Sequence, residues 1–261
     1  MEKKKKYKIL VLSDLKENTL SVLKSSVSLA KIIDADIHFF YAKSPTDIVK
    51  NDNQLSAKRA INESSFIIDK EIKNIVNSFT KDNNVPIKYS FTIGNVKNEI
   101  DTYLKENNTD IVVLGKRKSK SLHFLGDNIT DFVLQQHKGT IVIADEHNSL
   151  EQPKEMSLGI FNQTKSNNIL VEHILSSSNK QLTSFKIVDS SSHLKEEPLS
   201  NDKKTTEYVF EKGDNAMKNI CNYLSKSSIN LLFVNRNHSN TTKSNIKEAI
   251  KNLNCSLILT T

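Results

Sequence analysis

Apolar residues in this chain fall into short blocks, and the blocks alternate between two periods. Residues 7–12 form a compact apolar run, a candidate buried parallel strand. Leu20, Leu23, Val27 and Ala30 follow at helical spacing and predict an amphipathic helix over about 17–33. Residues 36–42 read as a second strand. Ile61, Ile68, Ile72, Ile75, Val76 and Phe79 then form one long helical stripe. Ile87, Tyr89, Phe91 and Ile93 alternate with Lys88, Ser90 and Thr92, which predicts a third strand with one more solvated face. A helix over 96–106, a strand over 110–114, a basic loop, a helix over 128–137 and a strand over 140–144 complete the series. Strands alternating with helices call for a parallel sheet covered on both faces, a doubly wound α/β sandwich.

The pattern then repeats. Residues 145–154 are polar, contain Pro153 and read as a linker. Strands over 156–161, 182–188, 206–211, 229–234 and 255–260 follow, with helices over 166–178, 214–226 and 243–252. Residues 189–205 stand where the first copy has its long helix, and their Ser-, Lys- and Glu-rich composition predicts an irregular connection. Ile100, Leu104 and Asp110 map onto Ile220, Leu224 and Asn230 with one constant offset. A period this long is not that of a solenoid, whose units run to roughly 20–50 residues. The expectation is two tandem domains, 1–146 and a trimmed copy at 155–261.

Composition changes this picture little. A net charge of +7 in 261 residues permits attraction to anionic partners. The only aromatic side chains in the basic loop are His123 and Phe124, so specific nucleic-acid binding is not expected. No stretch approaches the roughly 18 apolar residues of a membrane span, and the amino terminus lacks a signal-peptide pattern. Cys221 and Cys255 each lie in an apolar segment and read as buried thiols of a reducing, cytoplasmic compartment. The seven histidines include no pair at zinc-ligand helical spacing, so no metal site is expected. Neither a nucleophile elbow nor a P-loop is present. Asp34 and Asp36 flank a turn, and turn chemistry accounts for them.

In an open parallel sheet, ligands bind beyond the carboxyl ends of the strands where strand order switches. Leu12-Ser13-Asp14, Ala42-Lys43-Ser44-Pro45 and the loop from Gly115 to Asn128 converge there. With residues 7–14, Leu29-Ala30-Lys31, residues 110–117, residues 129–134 and residues 140–143, the chain resembles the universal stress protein family over about residues 7–144. A fainter likeness covers 156–261. The resemblance implies two five-stranded α/β sandwiches of the adenine nucleotide alpha hydrolase-like kind, paired about a pseudo-two-fold within one chain. It also implies a non-catalytic stress-response protein. Pairing with a second copy of the chain is left open.

Nucleotide-binding members of that family carry a Gly-x2-Gly-x9-Gly-Ser/Thr loop around the phosphates and an acidic residue facing the adenine. Here Asp14, Gly115 and Arg117 match, Lys118 replaces the second glycine, and Gly126 or Asp127 stands at the third. Asn128 takes the Ser/Thr position. By resemblance the ligand is ATP, with Mg²⁺, or another adenine nucleotide. Leu12, Asp14 and Ala42 would line the base pocket, and Gly115, Arg117, Lys118, Gly126 and Asn128 would meet ribose and phosphates.

Two readings of the loop remain open. Lys116, Arg117, Lys118 and Lys120 hold phosphate by charge in place of glycine backbone, or Asp127 or Asn128 caps a helix and the lysines are solvated. A slow nucleotide hydrolase, with Asp127 at the phosphates, and a partner-binding module without nucleotide are the alternatives. In the second copy, matching the first strands places Asn162 opposite Asp14, and matching the fourth places Asn235 opposite Gly115. No nucleotide is expected there.

Overall fold

The structure is a computed structural model that describes residues 6–49, 53–116, 129–146, 150, 155–162, 169–188, 205–213, 215–237 and 242–261. The first half runs β1 (Tyr7–Leu12), α1 (Thr19–Ile33), β2 (Ala35–Lys43), α2 (Gln54–Asn83), β3 (Ile87–Ile93), α3 (Val96–Asn107), β4 (Ile111–Gly115), α4 (Ile129–Gln136) and β5 (Thr140–Ala144). The second runs β6 (Leu158–Phe161), α5 (Ile169–Ser177), β7 (Leu182–Val188), β8 (Thr205–Glu211), α6 (Ala216–Lys226), β9 (Leu231–Asn235), α7 (Lys243–Asn252) and β10 (Ser256–Thr260).

Local chemistry sets several of these boundaries. Helix α2 is longer than its apolar stripe because Asn53 caps it, its Oδ1 accepting from the Leu55 N–H at 3.0 Å. Asp34, Asn84 and Asn108 end α1, α2 and α3 in the left-handed region, which Asn and Asp tolerate better than most residues. The turn reading of Asp34 therefore holds.

The strands form one ten-stranded sheet in the order β3-β2-β1-β4-β5-β10-β9-β6-β7-β8. Each half is a five-stranded parallel unit of identical order, as expected. The halves do not pack as separate sheets. They join edge to edge through β5 and β10, which pair antiparallel with Leu257 opposite Ile143, Ile258 opposite Val142 and Leu259 opposite Ile141. Both strands are buried along their whole length. Separated, each would expose an apolar edge with unpaired backbone, a configuration that invites association.

Two apolar layers cover the sheet and run unbroken across this joint. On one face Ile9, Val11, Ile37 and Phe39 pack with residues of α1 and α2, continuous with Ile160, Phe233, Ile258 and α5. On the other, Leu10, Leu12, Phe40 and Leu114 pack with α3 and α4, continuous with Phe161, Phe185, Leu259, α6 and α7. Period-two alternation explains the split, since successive strand residues point to opposite faces. Between the halves, Leu150 is buried in the first layer and its N–H reaches Ser25 Oγ at 3.5 Å. The polar linker thus carries one apolar anchor.

Candidate functional site

A cavity of about 430 Å³ opens where the strand order switches between β1 and β4. That volume lies within the usual range of small-molecule sites. Its inner wall is apolar: Leu12, Val22, Phe40, Val96, Ile100, Leu114 and Ile129. Its rim is polar and carries charges of both signs, Asp14 and Asp47 with Lys16 and Lys43.

The turn after β1 is tightly built. Leu15 has φ 56°, in the left-handed region. Ser13 Oγ accepts from the Leu15 N–H at 3.1 Å and shares a hydrogen bond of 2.8 Å with Thr19 Oγ1. Asp14 Oδ1 accepts from the Lys16 N–H at 3.1 Å, so the chain folds back over the cavity mouth with the carboxylate on its lining. Opposite, Tyr41 lines the cavity half-buried. Burial, then the charges of Glu71, Asp14 and Asp47, raise its pKa and keep the phenol neutral.

Of the residues singled out from sequence, Leu12, Asp14, Ala42 and Gly115 all line this cavity. Arg117, Lys118, Gly126, Asp127 and Asn128 lie outside the described residues. Gly115 has a packing reason to be glycine. A Cβ there would come within 2.9 Å of Val22 Cγ2 on α1 and 3.2 Å of Asn18 Cβ just before that helix. Asn18 Nδ2 also donates to the Lys116 carbonyl at 2.5 Å, tying β4 to the start of α1.

Lys116 is buried, is not on the cavity lining, and lies near enough to the Cys221 and Cys255 thiols to act on their ionisation. The residue after β4 therefore lies toward the second half. Ser13 and Lys43, which the sequence places in the segments that converge here, line the cavity too, whereas Lys16 and Thr19 were missed. Their place in the turn from β1 into α1 was the available signal.

Strand register fixes which residues of the second half correspond. Leu12 pairs with Phe40 as Phe161 pairs with Phe185, and Leu12 pairs with Leu114 as Phe161 pairs with Val234. Asn162 therefore matches Ser13, not Asp14, and its N–H bonds the Phe185 carbonyl just as Ser13 bonds that of Phe40. By the same register Leu12 becomes Phe161, Ala42 becomes Ile187 and Gly115 becomes Asn235. Every change adds atoms. Phe161 and Ile187 are buried in the core, and Asn162 Oδ1 accepts from the Ile187 N–H at 2.8 Å. Larger side chains thus stand at the second-half positions that match the cavity-lining residues of the first half.

The whole chain superposes on a universal stress protein from Archaeoglobus fulgidus with a TM-score of 0.69, covering 97% of this chain and 95% of that one at 13% identity. The fold is that of the universal stress proteins. A protein of unknown function from Pseudomonas aeruginosa shares it, with a TM-score of 0.58, 9% identity and 97% and 92% of the two chains covered. No family model matches the sequence, and no curated protein matches it. At these identities the likeness of this chain to universal stress proteins is one of architecture.

Among the described residues no helix is long and apolar enough to cross a membrane, and no group of three or more His, Cys, Asp and Glu could hold a metal ion.

Proposed function

We propose that the chain is a non-catalytic, cytoplasmic stress-response protein of the universal stress type that binds one adenine nucleotide, in the first half only. The observation that carries this reading is the cavity at the β1/β4 switch, with an apolar slot between β1, β2 and α3 and a polar rim at the helix starts. The slot suits a flat heterocycle. Leu12, Ala42, Val96 and Ile100 contact its faces, and Asp14 accepts from its exocyclic amine. Thr130 and the first turn of α4, together with Lys16 and Lys43, offer donors and positive charge to ribose and phosphates. Mg²⁺ enters with ATP rather than at a protein site of its own.

The second half completes the sheet and its cores, and Phe161, Ile187 and Asn235 keep it from binding the same ligand. The ligand-dependent output is recognition by a protein partner.

Titration of ATP and AMP into the wild-type chain and into Asp14→Ala tests the reading. Loss of about tenfold or more in affinity, the usual cost of removing a buried charged partner, is expected. Equal affinity in the two proteins would remove Asp14, and with it this placement of the base.

A further inference from the structure

Helix α4 belongs to the first half, but its ends are held by the second. At its carboxyl end, Arg236 Nη1 donates to the carbonyl oxygens of Leu134 and His137, both at 3.2 Å. Arg236 Nη2 donates to His137 at 3.2 Å and to Gly139 at 2.6 Å. Thr261 Oγ1 donates to the Lys138 carbonyl at 3.1 Å. The last carbonyls of a helix have no partner within it; here the second half supplies one for Leu134 in the last turn of α4 and for His137, Lys138 and Gly139 just after it. At the other end, Lys247 of α7 pairs with Asp131 in the first turn of α4 at 2.7 Å.

Helix α4 has eight residues, too few for a helix to persist in water without tertiary support. Among its described side chains only Val133 is fully buried. Ile129, Phe132 and Leu134 pack half-buried against the second apolar layer, and α4 meets α3 of its own half, so the second-half contacts hold its ends rather than its whole length. Ile129 and Thr130, at its start, form part of the cavity wall.

We infer that Arg236 is a positioning residue for the first-half cavity: by holding the carboxyl end of α4, with Lys247 steadying its start, the second half sets the wall against which ligand binds and so tunes ligand affinity. This inference rests on the reading that the cavity takes an adenine nucleotide.

The test uses the full chain as wild type, Arg236→Ala, Arg236→Lys and Lys247→Ala. Amide hydrogen exchange over residues 129–139 is followed without ligand, and ATP affinity is measured by titration. In Arg236→Ala, exchange in α4 is expected to quicken about tenfold and ATP affinity to fall by a similar factor, as for loss of charged hydrogen bonds. Arg236→Lys, with one ammonium in place of the fork, recovers part of both. Lys247→Ala loses about twofold in affinity, as suits an exposed pair, and it guards against Arg236→Ala failing to fold. Faster α4 exchange with ATP affinity held at the wild-type value in both variants would overturn the coupling. Unchanged exchange in Arg236→Ala would overturn the clamp itself, whatever the cavity binds. Failure of the wild-type chain to bind ATP would instead sink the nucleotide reading, and the exchange result would still decide whether the second half holds α4.

Discussion

Asp110 and Asn230 make the same three hydrogen bonds, one set in each half. The Asp110 N–H donates to the Lys8 carbonyl at 3.1 Å, its Oδ2 accepts from the Lys8 N–H at 2.9 Å, and its carbonyl accepts from the Thr140 N–H at 3.1 Å. The Asn230 N–H donates to the Ser157 carbonyl at 2.9 Å, its Oδ1 accepts from the Ser157 N–H at 2.9 Å, and its carbonyl accepts from the Ser256 N–H at 3.0 Å. Each residue staples three strands at their amino ends. Asp110→Asn is therefore expected to cost under about 1 kcal/mol, because the other copy already uses the amide, while Asn230→Ala costs about 1–3 kcal/mol by orphaning a backbone donor. Urea unfolding of the two variants compares them directly.

Ala42 marks the difference between a cavity and a filled core. Its counterpart Ile187 is buried and occupies the corresponding place in the second half. Ala42→Ile should leave the fold intact and abolish nucleotide binding, since the protein already accommodates that side chain at the equivalent position. A melting temperature close to wild type, with ATP affinity lost, is the expected pair of results. Retained affinity would move the ligand elsewhere.

The two thiols are predicted to be inert in the folded protein. Burial, with Glu248 adding to it, pushes Cys221 up to about 11, and burial pushes Cys255 up to about 12 despite the nearby Lys116. The thiolate is the reactive form and is scarce at such values. A disulfide reagent at pH 7.5 should leave both unmodified over the time in which it titrates both in urea. Rapid native labelling of Cys255 would mean that the junction opens.

Acid should weaken the fold through two imidazoles. Burial lowers the pKa of His38, with Lys88 adding to the effect. Burial also lowers that of His137, with Arg236 adding to it and the backbone carbonyl of Asp110 opposing. In the unfolded chain both titrate near about 6.5. As pH falls below that value the unfolded state takes up protons that the folded state resists, so their contribution to stability is complete above it and is lost on further acidification. Thermal melts at pH 7.5 and 5.5 should show a drop that His38→Gln reduces. An unchanged drop in that variant would assign the acid sensitivity to other groups.

Much of the fold was legible because strand and helix periods are clean and because the Asp110 and Asn230 segments repeat. The joint between halves was not. Residues 140–144 and 256–260 read as buried strands, and an apolar run looks the same whether its neighbour is another parallel strand or the opposite half. The shift of Asn162 by one residue has a simple cause: two short apolar strands can be laid against each other in more than one register, whereas the backbone bonds of Asp110 and Asn230 fix Lys8 against Ser157. Both sequence readings of Lys116, phosphate contact and a solvated loop, took it as outward-facing, whereas the residue after a strand can turn back into the core as easily as outward. Arg236 stands at the same place after β9, and two cations at matched positions were a signal that both halves reach across the joint. In the cavity the sequence identified the contributions of β1, β2 and β4. Arg117, Lys118, Gly126 and Asn128 fall outside the described residues.

The most direct test of the central claim is the stoichiometry of ATP binding to the purified chain, measured by isothermal titration with and without Mg²⁺ after any copurified nucleotide has been removed. The account predicts one site per chain, lost in Ala42→Ile. Two sites per chain would show that Phe161, Ile187 and Asn235 do not fill the second site, and absence of binding in either condition would contradict the nucleotide reading of the first.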